Sequence, residues 1–409
     1  MLTRTMSIPG GPRPYEDWRV ACLGVLAVLM LMPVTMPVTV LRAFVQERFG
    51  VSEFMTSLFM SINMVGAVLS APIAGALADR FGRRRALIIA ALLADAVLLF
   101  SLTLDLPFPV FMGLRLFEGA AHIFALSLLL SVAAHARGEA QRGRVMGIVG
   151  GGITLGVAIG APLGGAIGRT DPLIPFYVGC VVVTLGALLT WTILLEVEAE
   201  ARQETSLARI VAALREQKLL LAPLAFAFVD RFTVGFYTTT FSLYLSRIHE
   251  LPSQQIGLLI GAFMLPFALC SYPFGRLSEK SSPVWMVCGG SVLYGIGTAL
   301  VPWWPESTLL VLLVLLGIAS AVMFVPSMVL ITQLASNQAR GTALGAFNAA
   351  GSLGFIIGPV TGGLISQWVA GSSGWENGYR AAFAVAGASE ILCVAVTLPF
   401  LLKLVRSRS

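Results

Sequence analysis

The chain is predicted to be an all-α integral membrane protein, with twelve transmembrane helices in two pseudo-symmetric six-helix bundles. Three observations predict this. Apolar residues make up 57% of the 409 positions and charged residues only 12%, about half the share usual in a soluble domain, so with a mean hydropathy of +0.86 a conventional polar surface is out of reach. Apolar runs of about 20 residues, enough to cross a ~30 Å hydrocarbon core as helix, recur along the whole chain. Finally, two motifs of the first half return in the second.

The first six runs lie near 18–41, 53–78, 86–104, 107–134, 145–168 and 173–195. Six more lie near 219–246, 254–278, 283–304, 308–335, 342–369 and 379–402. The first run exceeds a signal-peptide core and no small-residue cleavage site follows it, so it reads as a retained helix. Lys and Arg are retained on the cytoplasmic side of short loops. The even-numbered loops and both tails carry most of them, from Arg4, Arg13 and Arg19 through Arg80, Arg83, Arg84, Arg85, Arg137, Arg142 and Arg144 to Arg276, Lys280, Arg340 and Lys403. The odd-numbered side and helix ends carry Arg42, Arg48, Arg169, Arg247 and Arg380. Both termini are therefore expected in the cytoplasm, and this bias accounts for the net charge of +6 without nucleic-acid binding.

The duplication is visible at two places. Gly75-Ala-Leu-Ala-Asp79-Arg80-Phe-Gly82-Arg83-Arg84-Arg85 returns in weaker form as Gly275-Arg-Leu-Ser-Glu279-Lys280. Arg142 and Gly160-Ala-Pro162 realign with Arg340 and Gly358-Pro359 at a constant offset of 198 residues. The expected organisation is an N-terminal bundle (1–196), a cytoplasmic linker (197–217) and a C-terminal bundle (218–409). In the linker Leu207, Ile210, Val211 and Leu214 recur at helical spacing, which fits a short interfacial helix or a plain polar connection.

The loop after helix 2, Arg115-x-x-x-Gly119 in helix 4 and Gly160-Ala-Pro162-x-Gly164-Gly165 in helix 5 together resemble the major facilitator superfamily, and more narrowly its twelve-helix drug:proton antiporters. The resemblance covers essentially the whole chain. It implies transport by alternating access, and the helix 5 motif implies export coupled to protons. It also implies that Asp79, beside Gly75, Arg80, Gly82 and Arg83, meets the start of helix 11 near Gly341 and latches the state closed to the cytoplasm. A carboxylate at a helix N-terminus is electrostatically favourable; the simpler reading is that these arginines only hold the loop inside.

In helix 5, Gly147, Gly150, Gly151, Gly152, Gly156, Gly160, Pro162, Gly164 and Gly165 strip side chains from one stripe and allow close backbone approach. The expected partner is a facing helix of the other half, either as ordinary tight packing or as a seal against leak.

Ionisable groups at membrane depth are the candidates for function, since each costs roughly 2.5–3.5 kcal/mol or more at a helix centre. Arg115, Glu118 and His122 fall on one face of helix 4, expected to line a central cavity. The resemblance implies glutamine at position 118; the glutamate here puts a titratable group beside a permanent cation, either as the proton carrier or as a fixed ion pair. His122 reads as a neutral core histidine.

In helix 7, Asp230, counted with Arg115 and Glu118 as a proton-coupling candidate, shares a face with Thr233, Tyr237 and Phe241, suited to a cationic or amphipathic ligand, while Arg231 points about 100° away. Thr35 and Thr39 of helix 1 are further cavity candidates. No carboxylate accompanies them, which departs from several drug:proton antiporters. Asp95 and Glu390 are expected to be structurally paired.

Other chemistries find no support. With only Lys218, Lys280 and Lys403, no phosphate-binding Gly-Lys-Ser/Thr loop is present, His249-Glu250 lacks a second zinc-binding histidine, and the five cysteines have no metal spacing. Trp303, Trp304, Trp368 and Trp375 mark outer helix ends. The expectation is a non-enzymatic, cofactor-free, metal-free monomer in a bacterial inner membrane, exchanging protons for a small amphipathic molecule and contacting lipid but no nucleic acid. The alternatives are a proton-coupled importer or anion carrier, in which Arg115 and Arg231 bind the substrate, and a transport-inactive sensor or assembly factor.

Overall fold

The computed structural model describes residues 15–136, 139–195, 218–336 and 340–406, without the side chains of a few positions inside helices, Asp79, Glu279 and Gly341 among them. The predicted linker helix, the arginines at 4, 13, 137, 202, 209 and 215, and the Asp79 carboxylate therefore lie outside the described residues.

Each predicted run falls on helix. The N-terminal bundle holds α1 (Asp17–Thr35), α2 (Glu53–Phe81), α3 (Arg84–Ser101), α4 (Phe108–His135), α5 (Glu139–Ile167) and α6 (Ile174–Ile193). The C-terminal bundle holds α7a (Leu221–Thr238), α7b (Thr240–Ile248), α8 (Ser253–Lys280), α9 (Pro283–Leu300), α10 (Glu306–Leu334), α11 (Arg340–Ser373) and α12 (Trp375–Arg406). Ten of these helices are long and apolar enough to cross a membrane. The other two spans are 18 residues long and interrupted by charge: α3 holds Arg84, Arg85 and Asp95, and α7a holds Asp230 and Arg231 at its middle.

Two spans wind differently from a single continuous helix. Beyond α1 the chain passes through a 3-10 turn, Met36–Val40, and a π-helical turn, Arg42–Glu47. Helix 7 is broken at Thr239 (φ −136°, ψ −73°). The 3-10 turn and the break at Thr239 are protein-covered, the condition under which non-helical backbone survives at membrane depth. At the other end α2 stops on Gly82, whose left-handed φ of +63° lets its N–H reach the Ala78 carbonyl.

Helix pairing is duplicated. In the first bundle α1 packs on α5 and α6, α2 on α4, and α3 on α4 and α6; in the second α7a packs on α11 and α12, α8 on α10, and α9 on α10 and α12. Each pair recurs six spans later. Between the bundles α5 meets α8 and α2 meets α11, contacts that exchange under the same rule.

The helix 5 glycines explain part of this, with a correction to their expected partner. A Cβ on Gly152, Gly156, Gly160 or Gly164 would run into the backbone of Gly24, Val28 or Met32 on α1, or of Met36 in the turn that follows it, all of the same bundle. Ala161, Pro162 and Gly165 instead face α8 of the other bundle, against Gly257, Gly261 and Ser253. The repeat obeys the same division: Gly354 and Gly358 meet Phe228 and Phe232 of α7a, while Gly363 meets Ser57 and Glu53 of α2. Lipid supplies no hydrophobic drive between helices, so backbone proximity is needed first inside each bundle. Gly147, Gly150 and Gly151 have no neighbour that a Cβ would meet.

Candidate functional site

Three polar constellations stand out in this apolar molecule. The first closes one end. Glu53, at the start of α2, is fully buried and takes its partners from the other bundle: the Tyr379 hydroxyl donates at 2.9 Å, the Ser366 hydroxyl at 3.2 Å, and Arg247 Nη2 forms an ion pair at 3.4 Å. Arg247 also donates to Gln46 Oε1 at 3.0 Å and lies over the Trp375 ring at 3.9 Å. Nearby Arg42 donates to the Ser246 carbonyl, Ser242 to the Val38 carbonyl, and the Phe54 N–H to Gln367. The hydrogen bonds and ion pairs described between the bundles all lie at this odd-loop end, so the halves are sealed there.

Sequence reasoning did not single out this seal. Glu53 reads as a span boundary, Arg247 as a helix-end charge and Trp375 as part of an aromatic belt. Their partners come from distant parts of the chain, and no spacing signals them.

The second constellation sits between α2, α3 and α4. Arg115 Nη1 and Glu118 Oε2 are 2.6 Å apart with both side chains buried, and Asn63 Nδ2 of α2 donates to the same carboxylate oxygen. The guanidinium also lies 4.7 Å from the centroid of Phe59. Gly119 makes this possible, because a Cβ there would collide with the Asn63 backbone. One turn on, His122 Nδ1 shares a 3.2 Å hydrogen bond with Asp95 Oδ2 of α3. The i, i+3, i+7 spacing thus brings Arg115, Glu118 and His122 onto one face as expected. That face is buried in the N-terminal bundle rather than lining an open cavity, since groups with such desolvation costs are held where partners from α2 and α3 satisfy them.

The third sits in the C-terminal bundle. Asp230 Oδ2 is 3.3 Å from Arg231 Nη1, in ion-pair range but without hydrogen-bond alignment, since neither Asp230 oxygen has a hydrogen-bond partner among the described residues. As predicted from helix geometry, the two diverge: Asp230 is buried, while Arg231 is about a quarter exposed and lies over Phe324 and Phe355 at 4.0 and 5.4 Å. The face shared by Asp230, Thr233, Tyr237 and Phe241 is buried too. Tyr237 stacks on Phe263 of α8 and bonds Thr298 of α9 at 3.1 Å, so this face forms bundle interior and the cavity expectation passes to Arg231. Thr35 donates to the Val157 carbonyl of α5 and Thr39 to the Met36 carbonyl, which ties both into helix packing.

Of the two expected structural pairings, Asp95 has its partner in His122. Glu390 has a hydroxyl only: Ser291 donates to Oε2, Oε1 has no partner among the described residues, and the nearby Thr233 hydroxyl donates to the Ala386 carbonyl. In the loop motif Arg80, Gly82 and Arg83 are exposed, and a Cβ on Gly75 would meet nothing. The polar contacts described between α2 and α11 lie at the opposite end from the expected latch. Among the described residues no group of three or more His, Cys, Asp or Glu could hold a metal ion.

The chain is 26% identical over 366 residues to Multidrug resistance protein 2 of Bacillus subtilis (strain 168), a match covering 85% of this chain and 86% of that one. It is also 26% identical over 328 residues to the 3-(3-hydroxy-phenyl)propionate transporter of Escherichia coli (strain K12), covering 78% and 79%. Among solved structures, a bacterial homolog of the human lysosomal transporter Spinster, described as inward-facing and unoccupied, superposes with a TM-score of 0.83 at 15% identity, covering 95% and 97%. The profile of the Major Facilitator Superfamily matches residues 23–244 and again 224–409. With the duplicated twelve-span fold, these matches make the chain a member of the Major Facilitator Superfamily, and a transporter rather than an enzyme.

Proposed function

We propose that the protein is a proton-coupled antiporter that exports small amphipathic molecules across a bacterial inner membrane by alternating access. The observation that carries this reading is the buried Arg115–Glu118 pair held by Asn63. A carboxylate beside a permanent cation at membrane depth changes its proton affinity when that cation turns to another partner. Movement of α2 against α4 would withdraw Asn63 and alter the pair, linking helix motion to proton release. The likeness to Multidrug resistance protein 2 supports export. On this reading both termini and residues 197–217 are cytoplasmic, the bundles comprise 1–196 and 218–409, the working unit is a monomer, and the odd-loop seal faces outward. The Asp79–Arg83 loop would then re-engage when the cytoplasmic side closes, and Pro162 and Gly165 would serve the outer seal.

The test is transport in proteoliposomes under an imposed pH gradient. Glu118→Gln should retain substrate exchange and lose pH-driven accumulation; a variant that still accumulates substrate against its gradient removes Glu118 from the coupling role. A second reading, a carrier of organic anions, is favoured by Arg231, a partly exposed cation set on Phe324 and Phe355, and by the likeness to the 3-(3-hydroxy-phenyl)propionate transporter. A ligand screen by thermal shift separates the two, because a compound that binds only the folded state raises its apparent stability. Cations stabilising the protein support the first reading and anions the second. Substrate-driven proton movement would exclude the third possibility, a transport-inactive sensor.

A further inference from the structure

The C-terminal bundle buries more negative charge than positive. Asp230 on α7a and Glu390 on α12 are both buried, and the cation described beside them is Arg231, which contacts Asp230 and is itself partly exposed. Glu390 is 0% exposed. The titratable groups around it are Asp230 and Tyr237 from α7a, Tyr294 from α9 and Cys393 on its own helix, with Arg231 on the far side of Asp230 and Cys288 beside Cys393; α11 contributes none between 342 and 373. Its one described hydrogen bond comes from the Ser291 hydroxyl, and Oε1 is left open. A second observation marks the same place. The Tyr294 hydroxyl is fully buried without a hydrogen-bond partner among the described residues, within the electrostatic reach of both carboxylates.

Two carboxylates and one guanidinium in a low-dielectric interior leave one negative charge uncompensated, and a buried group in that position takes up a proton. We propose that Glu390 carries a proton in this conformation and that Asp230 and Glu390 form a second proton-binding site, separate from Arg115 and Glu118. The proposal rests on the proton-coupled reading for its role in transport, but not for the protonation itself. The site holds one proton between two carboxyl groups. Asp230 is its route to water, because the side chain of Arg231 reaches accessible space. When Arg231 leaves Asp230 for another partner, both carboxyl groups are favoured in the neutral form; when it returns, one proton is released.

Infrared difference spectroscopy of the full-length protein in lipid nanodiscs, with hydrogen–deuterium exchange, reads protonated carboxyl groups directly. The wild type should show such a band near neutral pH, and Glu390→Gln should lose it. The amide replaces a neutral acid of the same shape, so the fold is retained, which the melting temperature checks. Asp230→Asn is the discriminating variant. With residue 230 neutral, the like charge acting on Glu390 is gone, so the band should weaken. Persistence of the band in Glu390→Gln would overturn the proposal, as would loss there but no change in Asp230→Asn, the signature of a merely structural acid. Bleaching of the band by sodium chloride, with potassium chloride as control, would overturn it in favour of a sodium site. Failure of the antiporter reading shows separately, as absence of substrate-driven proton movement in the wild type with the band intact.

Discussion

The two bundles share their helix pairing and differ in their buried charge. In the N-terminal bundle every buried carboxylate of the polar cluster has a nitrogen on it: Glu118 has Arg115 and Asn63, and Asp95 has His122. In the C-terminal bundle Asp230 has a misaligned, partly exposed Arg231, and Glu390 has the Ser291 hydroxyl alone. Carried over by the 198-residue offset, Arg115 and Glu118 fall on Leu313 and Leu316, Asp95 on Leu293, and Asp230 and Glu390 fall back on Met32 and Thr192. Duplication therefore conserves what packing requires, the small residues where backbones cross, and leaves electrostatics free to differ. A symmetric scaffold with asymmetric charge lets one half hold its carboxylate against a permanent cation while the other holds its carboxylates without a full countercharge.

The strongest way to break this comparison is to remove the cation from each cluster in turn. Arg115→Ala strands Glu118 in a dry site and should cost about 3–5 kcal/mol, the usual cost of breaking a buried pair. Arg231→Ala should cost no more than about 1 kcal/mol, since Arg231 is partly exposed and poorly aligned. Equal losses of apparent melting temperature in detergent would mean that the clusters are not electrostatically different.

The packing half of the comparison is sharpened by glycine substitutions. Gly156→Leu and Gly354→Leu push side chains into backbone of α1 and α7a, and each should cost about 3 kcal/mol or more, by the same mechanism in both bundles. A large effect in one bundle only would deny their structural equivalence; folded yield and melting temperature read it.

A smaller effect is expected where the bundles meet. Tyr379→Phe removes one hydrogen bond to the buried Glu53 carboxylate, worth about 1.5–3 kcal/mol, and should shift the population toward opening of the odd-loop end. Spin labels at the exposed positions Glu47 and Asn377 would report a longer distance distribution; an unchanged distribution would mean that this hydrogen bond does not hold the seal.

The smallest effect belongs to Gly147→Ala. Its Cβ meets nothing, so stability should move by no more than about 0.5 kcal/mol, in contrast to Gly156 on the same helix.

Much of the fold was legible because a bilayer imposes one length and one hydrogen-bonding solution on every span. The break at Thr239 was not, since Thr239-Thr240 carries neither proline nor glycine to announce it. The glycine stripe of helix 5 was legible as a site of close approach. Its partner was not, because the offset that reveals the repeat says nothing about which neighbour fills the space. Helical spacing put Arg115, Glu118 and His122 on one face, but whether that face meets water or Asn63 and Asp95 depends on α2 and α3.

The sequence by itself determined the solvent of this protein, its helices, its duplication and its ionisable groups at depth, because these follow from composition, periodicity and the cost of charge in hydrocarbon. Tertiary structure alone decided which charges are neutralised, which glycines serve packing within a bundle and which serve the seal, and that Glu53, Arg247 and Tyr379 close one end. Those outcomes depend on distances between residues remote in the chain, and local sequence places no constraint on them.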